Sequence, residues 1–186
     1  VSATTRVILG IDPGLRTTGY GAIAAGPAGL RLLEGGVVQP DPALPLEQRL
    51  VQLHDGIVEV VRALQPAYMV VEELWTSASH PPTAVLMGHA RGVIALAAGA
   101  HGIALYPLAH AMVKRALVGN GAARKAQVKG MVVQLLGLSA PPYPDDVSDA
   151  LALAIAFANV EAQRERFAEL GVAMPQRRTR KPRLSV

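Results

Sequence analysis

Val7-Ile8-Leu9-Gly10-Ile11-Asp12-Pro13-Gly14 is an apolar run that ends on a carboxylate and then on a strong turn signal. A short apolar segment bounded by Pro-Gly reads as a β-strand packed inside a sheet. Asp12 is therefore expected at the carboxyl end of a core strand. Tyr68-Met69-Val70-Val71-Glu72 repeats the arrangement, with Pro66 dividing it from a preceding helix. Its uninterrupted apolar character suits a strand covered on both faces, predicted to pair in parallel with the first. Such sheets bind ligands beyond the carboxyl ends of their parallel strands, so Asp12 and Glu72 are expected to meet there.

Between these strands, 20–24 and 30–38 are apolar-rich runs joined by Gly26-Pro27-Ala28-Gly29, a turn short enough for an antiparallel meander with the first strand. A proline-rich link over 40–45 leads into a helix at 46–64, where Leu46, Leu50, Leu53, Ile57, Val61 and Leu64 recur at helical spacing. Residues 75–82 read as a polar loop, 83–98 as a helix, 103–106 as a short strand and 122–136 as a helix. The last helix, 145–166, follows a proline stop at 141–144. The result is an α/β fold, a mixed five-stranded sheet flanked by helices. Residues 1–170 are read as one domain and 171–186 as a basic tail expected to be disordered.

A chain of 186 residues, 51% of them apolar, suffices for one well-buried core and is short for two. The lack of cysteine excludes a disulfide framework, a zinc-thiolate site and a cysteine nucleophile, leaving oxygen or histidine as metal donors. It also permits a cytoplasmic location, which is the expectation, since no segment has the pattern of a secretory signal. Residues 92–113 carry no charge, but Gly99, His101, Gly102, Pro107 and His110 interrupt them, so no membrane span is expected. The formal charge of +4 is concentrated in Arg177, Arg178, Arg180, Lys181 and Arg183, and taking those five positive charges away leaves −1. The internal distribution says more. Between Glu73 and Asp145 there is no acidic residue and there are six basic ones.

Asp146 and Asp149 are three residues apart, on one face of the last helix near its first turn. Asp145 and Asp146 have an ordinary role available, capping free N–H groups and favouring the helix macrodipole. Asp149 lies beyond the cap and precedes Ala150-Leu151-Ala152-Leu153-Ala154-Ile155, where a carboxylate needs a partner. Asp12 also has an alternative, an Asx-type turn before Pro-Gly. Successive residues leaving a strand point to opposite sides, so Glu72 is expected to face the site and Glu73 solvent or a base. An unpaired carboxylate beside a core costs several kcal/mol or becomes neutral, and several that converge are most simply explained by a shared cation.

Jointly, Asp12, Glu72, Asp146 and Asp149 suit two hard cations such as Mg²⁺, which take oxygen ligands and complete their shell with water and phosphate. Two such ions ~4 Å apart activate water on one side of a phosphodiester and stabilise the leaving oxygen on the other. Lys114, Arg115, Arg124, Lys125 and Lys129 flank Gly119-Asn120-Gly121 with no interspersed acid, as expected of a surface that meets phosphates rather than an ordinary mixed-sign surface. Trp75, in the polar loop, is placed either to stack on an unpaired base or to pack beneath that loop. His54, His80, His89, His101 and His110 show no metal-ligand spacing and are read as surface or packing residues. Gly88 and Gly92 leave a smooth stripe on an apolar helix, suited to intramolecular packing or to a homodimer contact.

Ile8-Leu9-Gly10-Ile11-Asp12-Pro13-Gly14, Thr18-Gly19-Tyr20-Gly21, Val71-Glu72, Gly88-His89-Ala90-Arg91-Gly92, Val113-Lys114, Val118-Gly119-Asn120-Gly121, Lys125-Ala126-Gln127-Val128 and Asp146-Val147-Ser148-Asp149-Ala150-Leu151-Ala152 together resemble the RuvC family of Holliday junction resolvases. The resemblance runs in order over roughly residues 6–160. It implies an RNase H-like fold, a homodimer, and paired symmetric nicks in four-way junction DNA that require Mg²⁺ or Mn²⁺, two ions per active site. It implies metal ligation by Asp12, Glu72, Asp146 and Asp149, DNA contact by Lys114 and Lys125, and a junction-stacking aromatic at Trp75, where the family usually has phenylalanine. Arg115 and Arg124 join the expected DNA-binding set as neighbours of those lysines. A branch-migration motor is the further partner implied. The first acid of the late pair varies among relatives, which makes Asp145 a competitor of Asp146.

Three other readings stand beside this one. An RNase H-like nuclease acting on another branched DNA or RNA substrate would use the same acids. A Gly-Ile-Asp-Pro-Gly strand also resembles the phosphate loop of sugar-kinase and actin-like ATPases, but those need two such domains around a nucleotide. A non-catalytic junction-binding protein would have no need of the acidic set.

Overall fold

Strands β1 (Arg6–Asp12), β2 (Thr18–Gly26) and β3 (Gly29–Val38) form the antiparallel meander that their alternating apolar runs predict. The structure is a computed structural model describing residues 4–73 and 81–171, the side chains of 81–83 excepted. Helix α1 (Leu46–Leu64) then crosses one face of the sheet and returns the chain to β4 (Tyr68–Glu72), which pairs with β1 in parallel. Helix α2 (Pro81–Ala100) leads to β5 (Ala104–Leu108), parallel to β4. The sheet order is β3-β2-β1-β4-β5, the mixed five-stranded sheet expected. Helices α3 (His110–Val118), α4 (Lys125–Leu136) and α5 (Asp145–Glu169) complete the chain.

The two-residue period of the strands sorts side chains into two cores. Leu9, Ile11, Ala22 and Met69 point toward α1 and α2, where they meet Leu53, Ile57, Val61, Ala90 and Ile94. Ile8, Ile23 and Val70 point the other way, toward Leu151, Ile155 and Phe157 of α5 and Val113, Leu117, Val128 and Val132 of α3 and α4. Each large side chain so buried contributes about 1.5–3 kcal/mol by removal from water. The same parity aims the last residues of β1 and β4. Asp12 follows Ile8 and Gly10, and Glu72 follows Val70, so both carboxylates turn to the α5 face.

Glycine lets α5 come close enough to matter. A Cβ at Gly10 would lie 2.0 Å from the carbonyl oxygen of Ala150, and one at Gly19 would lie 2.3 Å from the carbonyl oxygen of Asp146. Gly19 is the strand partner of Asp12, so this close approach carries the start of α5 to the end of β1.

Several boundaries differ from the sequence reading. Helix α3 was not expected: Ala109 gives it no side-chain cap, and with Val113 and Leu117 as its buried pair it is too short to display a periodicity. Helix α4 starts at Lys125 rather than 122, because Asn120 forms an Asx turn, its Oδ1 accepting from the Ala122 N–H at 2.9 Å. Strand β5 runs through Pro107, tolerated because β5 is an edge strand. Among the described residues no helix is long and apolar enough to cross a membrane. The tail beyond Gly171 lies outside the described residues.

Candidate active site

The turn after β1 does not use the Asp12 side chain. Buried Thr18 closes it instead, its hydroxyl donating to the Gly14 carbonyl at 2.6 Å and accepting from the Gly14 N–H at 3.2 Å. The Asx-turn alternative for Asp12 therefore falls, and its carboxylate faces a cavity. That cavity is bounded on its polar side by Asp12, Glu72, His110, Lys114, Lys125 and Asp149, above an apolar floor of Val113, Val128, Ala152 and Leu153. Three elements distant in sequence thus place acids at one spot: the carboxyl ends of β1 and β4, and the second turn of α5.

Electrostatics mark the spot as incomplete. Burial, and after it the negative charges of Asp149, Glu72 and Asp146, push the Asp12 carboxyl up from 3.8 to about 7, with Lys125 offsetting a smaller part. Asp149 and Glu72 are each met by a cationic or donor side chain. Lys125 lies 2.7 Å from Asp149 and 3.4 Å from Asp145, and these contacts, the Asp149 hydrogen bond foremost, raise its pKa. His110 Nδ1 lies 2.9 Å from Glu72 Oε1, while Arg91 donates to the Glu72 main-chain carbonyl.

Asp145 and Asp146 separate clearly. Asp145 is 58% exposed and paired with Lys129 and Lys125, the hydrogen bond from Lys129 lowering its pKa most. Asp146 rests against Gly19 and its charge reaches Asp12, though its side chain does not line the cavity. Lys114 and Lys125 stand at the cavity rim. Arg115 is exposed one residue along α3, and Arg124 is exposed immediately before α4, its main-chain N–H donating to Gln127 Oε1 at 2.9 Å. Trp75 lies outside the described residues.

Of the five histidines read as surface or packing residues, His110 is a surface residue that also borders the cavity and contacts Glu72. Ligand spacing carried no trace of it. A visible signal would have been its place two residues after Leu108, which pairs with Glu72 across β4 and β5.

Among the described residues no group of three or more His, Asp or Glu side chains is placed so that it could hold a metal ion as the side chains stand. The donor set nonetheless fits a hard cation: the acids supply oxygen alone, and burial, followed by the charges of the neighbouring acids, pushes the Asp12 carboxyl up to about 7. A cation there would reverse that penalty and compete with Lys125 for Asp149.

The family model described as "Crossover junction endodeoxyribonuclease RuvC" matches residues 8–157. A protein of that description from Rhodopirellula baltica is 42% identical over 80% of this chain and 83% of its own length. Another from Thermomicrobium roseum is 41% identical over 86% of this chain and 98% of its own. The structure of T. thermophilus RuvC in complex with Holliday junction substrate is 35% identical, covers 92% of this chain and 99% of that one, and superposes with a TM-score of 0.78.

Proposed function

The chain belongs to the RuvC family of crossover junction endodeoxyribonucleases, and from that membership we propose that a homodimer presents two acidic sites to two strands of a four-way DNA junction. It has the family's RNase H-like fold and is a Holliday junction resolvase, a nuclease of recombination and repair. The observation that carries the residue assignment is the meeting of Asp12, Glu72 and Asp149 in one cavity rimmed by Lys114 and Lys125.

Nucleases of this family depend on a divalent metal. In our reading two ions, Mg²⁺ or Mn²⁺, are held by Asp12, Glu72, Asp149 and Asp146. When bound they supply a readily deprotonated water and charge stabilisation for in-line attack at phosphorus. Asp12, at the end of β1, fixes the centre of the acidic set, and Asp149 anchors its α5 side. Lys114 and Lys125 pair with backbone phosphates, Lys125 exchanging its bond to Asp149 for one to DNA. Arg115 and Arg124 extend the phosphate track, and Trp75 is assigned to unpaired bases at the crossover.

The homodimer reading rests on α2. Val85, Gly88, Gly92, Leu96 and Gly99 recur at helical spacing on one exposed face, Val85 being 59% and Leu96 62% accessible, and among the described residues a Cβ at any of the three glycines would meet nothing within 4 Å. A second copy seated there would bury the stripe and set the spacing of the two sites. A branch-migration motor is the further partner at the junction in this reading.

Cleavage of labelled four-way, Y-shaped and linear duplexes by the full chain separates this proposal from a nuclease with another substrate. Selective cleavage of the four-way junction is expected; equal cleavage of all three would overturn it.

A further inference from the structure

We infer that His110 is a positioning residue that orients the Glu72 carboxylate, an inference resting on the metal-site reading above. The ionised carboxylate is an acceptor alone, so the contact of 2.9 Å between His110 Nδ1 and Glu72 Oε1 requires the hydrogen to be on Nδ1. One oxygen of Glu72 is thereby engaged. Oε2 has no such donor among the described residues and is the one left for a cation.

The fold makes this contact a consequence of topology. Glu72 pairs with Leu108 across β4 and β5, and the Glu73 N–H donates to the Leu108 carbonyl at 2.9 Å, so β4 and β5 remain bonded to their ends. His110 then opens α3 directly beside Glu72. On the main-chain side, Arg91 of α2 donates to the Glu72 carbonyl. Glu72 is thus fixed at its backbone by α2 and at its side chain by α3. Asp12, by contrast, has no hydrogen-bond donor to its carboxylate among the described residues, and Asp149 has the ammonium of Lys125.

Donors that orient a ligating carboxylate typically change metal affinity or activity by about 10–100-fold when removed. Because His110 is 63% exposed, its truncation opens no buried cavity and the fold is expected to persist. The geometry also specifies the replacement that restores function. The amide nitrogen of asparagine takes the place of Nδ1, whereas that of glutamine reaches the place of Nε2.

The test measures Mn²⁺ binding to the full chain by titration calorimetry without DNA, alongside single-turnover cleavage of a four-way junction across a Mg²⁺ series. His110→Ala is expected to weaken Mn²⁺ binding and raise the half-saturating Mg²⁺ about 10-fold, with junction affinity in EDTA unchanged and cleavage largely recovered at saturating Mg²⁺. His110→Asn is expected to restore most of the loss and His110→Gln little of it. Unchanged Mn²⁺ affinity in His110→Ala would overturn the inference, as would His110→Asn behaving no better than alanine. Glu72→Gln is the control for the site itself. If Glu72→Gln binds Mn²⁺ as tightly as the unaltered chain, the metal-site reading fails at its root, a result distinct from a defect confined to the His110 variants.

Discussion

Asp12 shows most directly how a single residue is made unstable for a purpose. It ends a buried strand, receives no hydrogen bond among the described residues, and sits in the field of three other acids, so its carboxyl titrates near 7 rather than 3.8. A folded-state pKa above the unfolded value means that the folded state prefers the neutral form. Stability from this group is therefore fullest below pH 3.8 and is lost as pH rises through about 7. Asp12→Asn should make the chain more stable than the parent at pH 8 in EDTA, by at most about 4 kcal/mol, with the difference vanishing near pH 4. Urea denaturation at both pH values measures this, and saturating Mg²⁺ should narrow the gap at pH 8. An asparagine variant less stable than the parent at pH 8 would contradict the electrostatic account. Asp12 could be singled out from sequence because a carboxylate after a core strand is anomalous. His110 could not be singled out by ligand spacing, because its contact joins the start of α3 to the end of β4 and depends on the pairing of β4 with β5.

At the scale of elements, legibility followed burial. The bounds of α1 and β4 match their apolar patterns residue for residue, since α1 buries a regular row from Leu53 to Val61, β4 buries its centre, and Pro45 and Pro66 flank them. Helix α3 leaves no readable period because its buried side is one turn deep, and the Asx turn ahead of α4 mimics a helical start. The contact that assembles the site is legible only in part. Gly19 is visible as a residue, but its reason, the seating of Asp146 against β2, appears only once α5 is docked. Gly19→Ala places a methyl within 2.7 Å of the Asp146 Cβ, so β2 or α5 must shift. The expected cost is about 1–3 kcal/mol in denaturation, with cleavage falling more than junction affinity because Asp146 and Asp149 move together. Unchanged stability and cleavage would mean that α5 is not seated as described.

For the whole molecule, one acidic site per chain and two strands to cut make a dimer the functional unit under the proposed function. The exposed apolar stripe of α2 is the surface assigned to that contact, and Leu96, 62% accessible, is its most exposed large side chain. Leu96→Glu should leave the melting temperature within a few degrees of the parent while shifting the sedimentation coefficient from dimer to monomer, since a charge at a closing helix contact is unpaired when buried. A dimer that persists would place the interface elsewhere. The sheet and the acid-free stretch between Glu73 and Asp145 were readable from composition and periodicity, whereas the relation between two copies is a property of surfaces and has no signature beyond the Gly88–Gly92 stripe.

That converging acids on one chain, used in pairs, cut a four-way junction symmetrically can be tested by mapping both nicks on a labelled mobile junction while Mg²⁺ or Mn²⁺ is titrated from EDTA, for the parent and for Asp149→Asn. The expected result is no cleavage in EDTA, paired symmetric nicks in strands of like polarity once the cation is added, and an Asp149→Asn variant that binds the junction without cutting it. Cleavage without a divalent cation, or parental cleavage by Asp149→Asn, would contradict it.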